Sequence, residues 1–397
     1  MFAVAAPRGA LIMGADYRAL GVARSLGRRG IPVWILAERG EPLATVSRYL
    51  RRRMHWPQGD DTERIAFLLE LAAANDLQGW ALIPSSDRAA AMLARAYDQL
   101  AQHYVHTTPT WDVVRWAYDK RLTYELAHRV GVACPWTVQV GRAFDPATAN
   151  VSFPAVLKPA IKEQSNALTA AKVWRVDNRR ELERRYRQAC ALIEPELLML
   201  QEVVFGGGDA QFSYAALCRE GMPLAWLTAR RTRQYPADFG RASTFVETVE
   251  CPEAVEPSLR LLEQLRYTGL IEVEYKRDPR DGLLKVLDMN PRVWGWHTLC
   301  TRAGIDFPWL LWLLVCGEKV PSSAARLGVS WLRMSTDTPT AVRELMRHRL
   351  GVREYLRSLR RPREPAIFAW DDPLPGLAEL PVLAYVLGRR LLNGQAV

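Results

Sequence analysis

The sequence predicts a mixed architecture, an α/β unit on a parallel sheet followed by an α+β portion with antiparallel strands. The first hundred residues alternate short apolar runs with helical stretches, the pattern of strand–helix–strand units. The middle of the chain carries segments of alternating polarity separated by Gly- and Pro-rich turns. Residues 269–290 then hold two strand-like segments joined by the charged turn Asp278-Pro279-Arg280-Asp281-Gly282, which reads as a hairpin. With 397 residues, 49% of them hydrophobic, the chain can build two or three cores.

The first unit spans 8–110. A strand over 10–13 meets Gly14, a helix follows over 18–29, and Gly30-Ile31-Pro32 turns the chain into a strand over 33–36. A helix over 62–75 leads to a strand over 80–83, which ends at Pro84-Ser85-Ser86-Asp87. Open α/β sheets contact ligands at such strand ends. Asp87 is therefore read either as a substrate contact or as the N-cap of a helix over 88–100. Gly14-Ala15-Asp16-Tyr17-Arg18 does not form a dinucleotide fingerprint. The second unit, 111–205, contains helices within 112–129, a strand over 155–159, a helix over 179–191 and a strand over 197–205. The third, 206–320, contains alternating segments over 211–218 and 224–231, the acidic hairpin, and an apolar run over 307–316 that is too short to span a bilayer and reads as a buried helix. The extension 321–397 is rich in Arg, Pro and Leu and suggests no chemical task.

Composition narrows the function. The net charge is +10, but the arginines are scattered, and neither zinc-finger spacing nor an RNA-binding aromatic motif occurs. No nucleic-acid or membrane partner is expected, whereas an anionic small substrate needs only local positive charge. The six cysteines, at 134, 190, 218, 251, 300 and 316, form no CxxC. Reduced thiols in a cytoplasmic protein are the simplest reading.

The hairpin carries the strongest chemical signal. It brings Glu274 toward Asp288 and Asn290, and two carboxylates with an amide oxygen suit magnesium. Arg292 beside them suggests phosphate chemistry. Lys158, inside the apolar run 155–159, is either an edge residue or a rigid point charge for phosphate. Lys120 gains interest only from its place in the series Lys120, Lys158, Glu202, Glu274, Asp288, Asn290, Arg292. Backbone groups of Gln201, Glu202 and Val203 suit an adenine edge, with Glu202 or Asp209 on ribose hydroxyls. Arg231 and Arg233 lie in a basic stretch leading to Gly240-Arg241, and both reach one anion if the strand continues that far. His297 is either a structural imidazole or a group near substrate.

This ordered set resembles the ATP-grasp superfamily of carboxylate–amine or carboxylate–thiol ligases over residues 10–320, and looks most like its D-aspartate-ligase-like group. The carrying segments are Asp119-Lys120, Ala155-Val156-Leu157-Lys158-Pro159, Gln201-Glu202, Glu272-Val273-Glu274-Tyr275-Lys276 and Leu287-Asp288-Met289-Asn290-Pro291-Arg292. The resemblance implies an ATP-grasp fold behind a Rossmann-like parallel-sheet domain, with 111–205 as the small, nucleotide-covering subdomain and 206–320 as the large, metal-bearing one. It implies ATP with magnesium, or manganese in its place. Lys120 and Lys158 would hold nucleotide phosphates, Gln201 to Val203 the adenine, and Glu274, Asp288 and Asn290 the metal. Arg292 would stabilise the transferring phosphate, with Arg231 and Arg233 beside it, and Asp87 and His297 would face substrate. The family usually has glutamate at position 288, and aspartate shortens that reach by one methylene. The implied reaction joins a small-molecule carboxylate to an amine through an acyl phosphate, and a homodimer fits. The alternatives are a small-molecule kinase and a nucleotide-binding protein of weak activity descended from a ligase.

Overall fold

Five strands form a parallel sheet in the computed structural model, which describes residues 6–40, 42–161, 166–235, 240, 242–360 and 363–379. They are β1 (Ala10–Met13), β2 (Val33–Ala37), β3 (Arg52–His55), β4 (Trp80–Pro84) and β5 (Tyr104–His106), in the order β3-β2-β1-β4-β5. The central strand β1 is buried throughout, as its unbroken apolar run requires. Sequence reading did not foresee β3. Its arginines sit on the sheet edge, where charged side chains remain hydrated.

Helix Tyr17–Gly27 is capped by Asp16, whose carboxylate accepts from the backbone N–H groups of Arg18 and Ala19. Helix Asp87–Arg95 is capped by Ser86, so Asp87 is its first residue rather than its N-cap, and its side chain is left for another partner. The helices expected within 112–129 are Trp111–Tyr118 and Lys120–Arg129, divided at Asp119, which turns extended and caps the second.

A four-stranded antiparallel sheet follows, built from β6 (Thr137–Val140), β7 (Ala155–Pro159), β8 (Trp174–Val176) and β9 (Leu198–Glu202) in the order β6-β9-β7-β8. The largest sheet contains β10 (Gln211–Arg219), β11 (Met222–Tyr235), β12 (Ala242–Thr248), β13 (Gly269–Arg277), β14 (Leu284–Asn290), β15 (Ser330–Leu332) and β16 (Arg363–Pro365), ordered β14-β13-β10-β11-β12-β15-β16. Alternation along β13 sends Ile271, Val273 and Tyr275 into one core with Tyr214 and Leu261. Leu270 points the other way, into a core shared with β1, helix Tyr17–Gly27 and Phe307. Glu272 and Glu274 follow Leu270 in this alternation.

The two helices of the apolar segment, His297–Ala303 and Phe307–Val315, meet at 92°, and no single helix among the described residues is long and apolar enough to cross a membrane. Residues past 320 extend the large sheet through β15 and β16, then return to the first helix. Arg24 pairs with Asp372 at 2.9 Å, and Arg28 with Asp371 at 2.7 Å. Pro236 and Arg241 of the basic loop, and 380–397 of the extension, lie outside the described residues.

Candidate active site

The hairpin forms as β13 and β14, and its register sets the site. Glu274 stands opposite Asp288, and Glu272 opposite Asn290. Asn290 joins the strands through its side chain. Its Nδ2 donates to Glu274 Oε1 at 2.9 Å and to Glu272 Oε2 at 3.1 Å, while its Oδ1 accepts from Arg292 Nη2 at 2.9 Å. Glu272 also accepts from Ser213 Oγ and from Trp296 Nε1, so it is the inner, structural carboxylate of the pair.

Cations balance this acidic ladder. Lys120 Nζ forms an ion pair with Asp288, and Arg231 Nη2 lies 3.2 Å from Glu274 Oε2. Burial raises the Glu274 carboxyl, but Arg231, Lys172 and the Asn290 amide outweigh it and hold the group below its ordinary range. Glu272, buried beside the Glu274 charge, is pushed up to about 7.

Lys158 enters from β7. Its Nζ lies 3.1 Å from the Tyr124 hydroxyl, which itself donates to the Leu287 carbonyl at 2.8 Å. Tyr124 therefore ties the lysine of the small sheet to β14 of the large one. Lys120, Lys158, Gln201, Val203, Glu274 and Asp288 line a single cleft between these sheets. By chemistry these donors suit a divalent cation, two carboxylates at facing positions and an amide two residues on, but here Asp288 is paired with Lys120, Glu274 with Arg231, and the Asn290 amide turns its nitrogen to Glu274 and its oxygen to Arg292.

Other expected residues sit differently. Glu202 borders the cleft, but its carboxylate is held by Lys285 at 3.2 Å and by Arg280 at 2.5 Å. Its carboxylate is thus engaged at the hairpin turn, and a ribose contact would have to compete with two cations. Asp209 is exposed in the short helix Gly208–Ala210 and does not line the cleft. Arg231 and Arg233 part company because the β11–β12 register slips between them. Arg231 faces Val246 and Arg233 faces Phe245, neighbours that point to opposite sides of the sheet. Arg233 is buried against Asp337 at 2.8 Å, and its guanidinium lies 4.3 Å from the Phe245 ring centre, so it serves the packing of the C-terminal helices.

His297 is corrected from a substrate contact to a core residue. It is 1% exposed, and its Nδ1 donates to the Trp294 carbonyl at 3.0 Å. Its ring fills the space beside Gly21, where an added Cβ would come within 2.4 Å of Nε2. Asp87 contacts Arg292 instead of standing alone, with Oδ1 2.9 Å from Arg292 Nε and Oδ2 3.1 Å from Nη2.

Lys172, Lys276, Gln211 and Tyr124 contribute to the site without having been singled out. The first three line the cleft, and Lys172 Nζ donates to the Gly240 carbonyl at 2.9 Å. Lys276 stood in a quoted segment, two residues after Glu274 and on the same face of the strand. Lys172 follows a short helix and takes a left-handed conformation at φ 70°, which no local sequence pattern announces.

A parallel-sheet unit, a small antiparallel sheet and a larger one enclosing a cleft of lysines and facing carboxylates constitute the ATP-grasp fold, and the chain has that fold. The solved structures it resembles include L-amino acid ligase from Bacillus licheniformis, with TM-score 0.61 and 16% identity over 78% of this chain and 74% of that one. An ADP complex of N5-carboxyaminoimidazole ribonucleotide synthetase matches with TM-score 0.64 and 13% identity over 87% of each chain. The biotin carboxylase domain of Hydrogenobacter thermophilus 2-oxoglutarate carboxylase, solved with MgADP, ADP and bicarbonate, matches with TM-score 0.63 and 15% identity over 81% of this chain and 73% of that one. No protein-family model and no curated protein matches the sequence.

Proposed function

We propose that this protein is an ATP-dependent carboxylate–amine ligase of the D-aspartate-ligase-like kind, acting on an amino acid or another small metabolite. The observation that carries the reading is the register of the hairpin, which sets Glu274 against Asp288 in a cleft shared with Lys120 and Lys158, with Asn290 bonded to Glu274 from behind. The similar solved structures, two of them bound to ADP, support the nucleotide. Lys120 and Lys158 bind the nucleotide phosphates, and backbone groups of Gln201 to Val203 meet the adenine edge. Glu274, Asp288 and Asn290 would hold magnesium, which would supply positive charge to the polyphosphate.

A substrate carboxylate oxygen attacks the γ-phosphorus, and the bond to the ADP oxygen breaks. Arg292 and Arg231 offset charge on the phosphoryl group during transfer. The amine then attacks the acyl carbon, phosphate leaves, and one proton is released. Lys158 of the small sheet, Lys120 at the start of helix Lys120–Arg129 and the acids of the large sheet enclose the acyl phosphate, which limits its hydrolysis.

ADP release, measured with paired acids and amines, tests the reading. ADP formed only when both partners are present, together with an amide of the expected mass, supports it. The same amide formed without ATP rules the mechanism out. A stable phosphorylated acid with no amide identifies a kinase instead.

A further inference from the structure

Two helices after the large sheet turn a surface to solvent that is both apolar and cationic. They are Met334–Met346 and Val352–Ser358, joined by residues 347–351. Arg233 fastens both from the inside. It pairs with Asp337 of the first at 2.8 Å, its Nη1 donates to Ser358 Oγ of the second at 3.1 Å, and its guanidinium lies 5.1 Å from the Tyr355 ring centre. What stays outside is a repeated pair, an aliphatic residue followed by arginine: Val342-Arg343, Met346-Arg347, Val352-Arg353 and Leu356-Arg357. In each helix the two copies stand four residues apart. The aliphatic residues therefore share one side, and the arginines share a side about 100° further round.

Val342, Met346, Val352 and Leu356 are 49%, 76%, 62% and 50% exposed. Single exposed aliphatics are ordinary on a protein surface, but four on one short helical pair make a patch, and such patches mark interaction sites. The arginines beside them are exposed too. Arg347 approaches Glu344 only to 3.9 Å, and Arg343, Arg353 and Arg357 form no ion pair with a described residue. Between positions 342 and 360, six arginines stand against two glutamates.

The mixture selects the partner. Nucleic acid would use the guanidiniums and leave the aliphatic carbons in water. Protein interfaces favour aromatic anchors, and none of the four outward apolar residues is aromatic. An anionic lipid surface uses both sets, because headgroup phosphates accept from guanidiniums while aliphatic side chains enter the acyl boundary. Composition alone speaks against a membrane partner, since arginines are spread along the chain, but here folding sets them beside exposed aliphatic carbon. We propose that this helical pair docks the protein onto an anionic lipid surface, with the four arginines on phosphate headgroups and the four aliphatic residues below them. The protein then lies on the membrane and needs no spanning helix.

Co-sedimentation of the full chain with vesicles tests the docking. Vesicles of equimolar phosphatidylcholine and phosphatidylglycerol are expected to bind about tenfold or more tightly than phosphatidylcholine alone. Met346→Ser with Leu356→Ser leaves the charge unchanged and is expected to weaken binding by about tenfold. Arg353→Gln with Arg357→Gln is expected to weaken it by about as much. Arg51→Gln with Arg53→Gln removes the same charge from exposed positions at the edge of the first sheet and is expected to leave binding unchanged. Thermal unfolding checks that each variant folds as wild type does. The proposal falls if the mixed vesicles leave the protein in solution, if the serine variant binds like wild type, or if the two arginine variants lose equally. Binding to double-stranded DNA in place of vesicles, lost with Arg353 and Arg357 but kept by the serine variant, assigns the face to nucleic acid and overturns it. A wild-type dimer that the serine variant dissolves into monomers, with no vesicle binding, assigns the face to a second copy and overturns it as well.

Discussion

Arg292 Nε lies 2.9 Å from Asp87 Oδ1, and this ion pair joins the segment after β14 to the first turn of the helix that follows β4. One carboxylate of the parallel-sheet unit thereby aims a guanidinium that also bonds Asn290. Asp87→Asn retains the shape and removes the charge. It is expected to lower kcat by roughly tenfold, equivalent to about 1.4 kcal/mol of transition-state stabilisation, with little change in the KM for ATP. Steady-state kinetics at saturating magnesium check it, and an unaltered kcat would remove Asp87 as a positioning residue.

Asn290→Ala has two consequences. It removes a proposed metal ligand, and it deprives Glu272 and Glu274 of the amide donor between them. Turnover is expected to fall by roughly a hundredfold or more. Urea unfolding should also show a loss of about 1–3 kcal/mol, because buried acceptors lose their partner. Wild-type stability in this variant would mean that the amide does not bridge the two acids.

Arg231 and Arg233, two residues apart, should behave as unlike residues. Arg233→Met strands the carboxylate of Asp337, which is 0% exposed, and is expected to cost about 3–5 kcal/mol of stability. Its folded fraction should retain kcat. Arg231→Met should lose kcat, because this guanidinium sits on Glu274 at the reaction cluster. Active-site titration alongside denaturant curves distinguishes the two, and equal kcat losses in both variants would overturn the division.

Acid should destabilise the fold through His297. Burial lowers its pKa from 6.5 to about 4. The unfolded chain therefore binds a proton between pH 6.5 and 4 that the folded chain refuses. Stability is expected to be full above pH 6.5 and to fall as pH drops through that window, by about 3 kcal/mol in all. His297→Asn keeps a donor for the Trp294 carbonyl and should flatten this part of the profile. Thermal unfolding between pH 4 and 7 measures it, and equal slopes in the two proteins would show that His297 is not the titrating group.

The parts of this molecule that sequence reveals are those governed by short-range rules. The facing of Glu274 and Asp288 follows from alternation and a charged turn, and Lys158 in an apolar strand is conspicuous because buried lysines need a reason. The Asp87–Arg292 pair spans 205 residues, and no local pattern encodes it. The separation of Arg231 from Arg233 depends on a local slip in the β11–β12 pairing, which skips Thr232 and is undone at Gln234, and no local pattern announces such an irregularity. The surroundings of Glu202 are hidden from sequence for a related reason. Glu202 borders the cleft, but its carboxylate also pairs with Arg280 of the hairpin turn and Lys285 of β14, partners about eighty residues away.

The clasp of Asp371 and Asp372 on the first helix has a consequence for biosynthesis. Arg24 is 6% exposed, and the acid that neutralises it lies 348 residues downstream. While the ribosome is still translating, the amino-terminal helix holds a charged group that its eventual pocket has not yet answered, and burying such a group alone costs about 3–5 kcal/mol. A helix translated 348 residues ahead of its partner acid is thus locked late, and protease sensitivity of that helix in nascent chains stalled near codon 360, absent once codon 379 has cleared the exit tunnel, would reveal the delay.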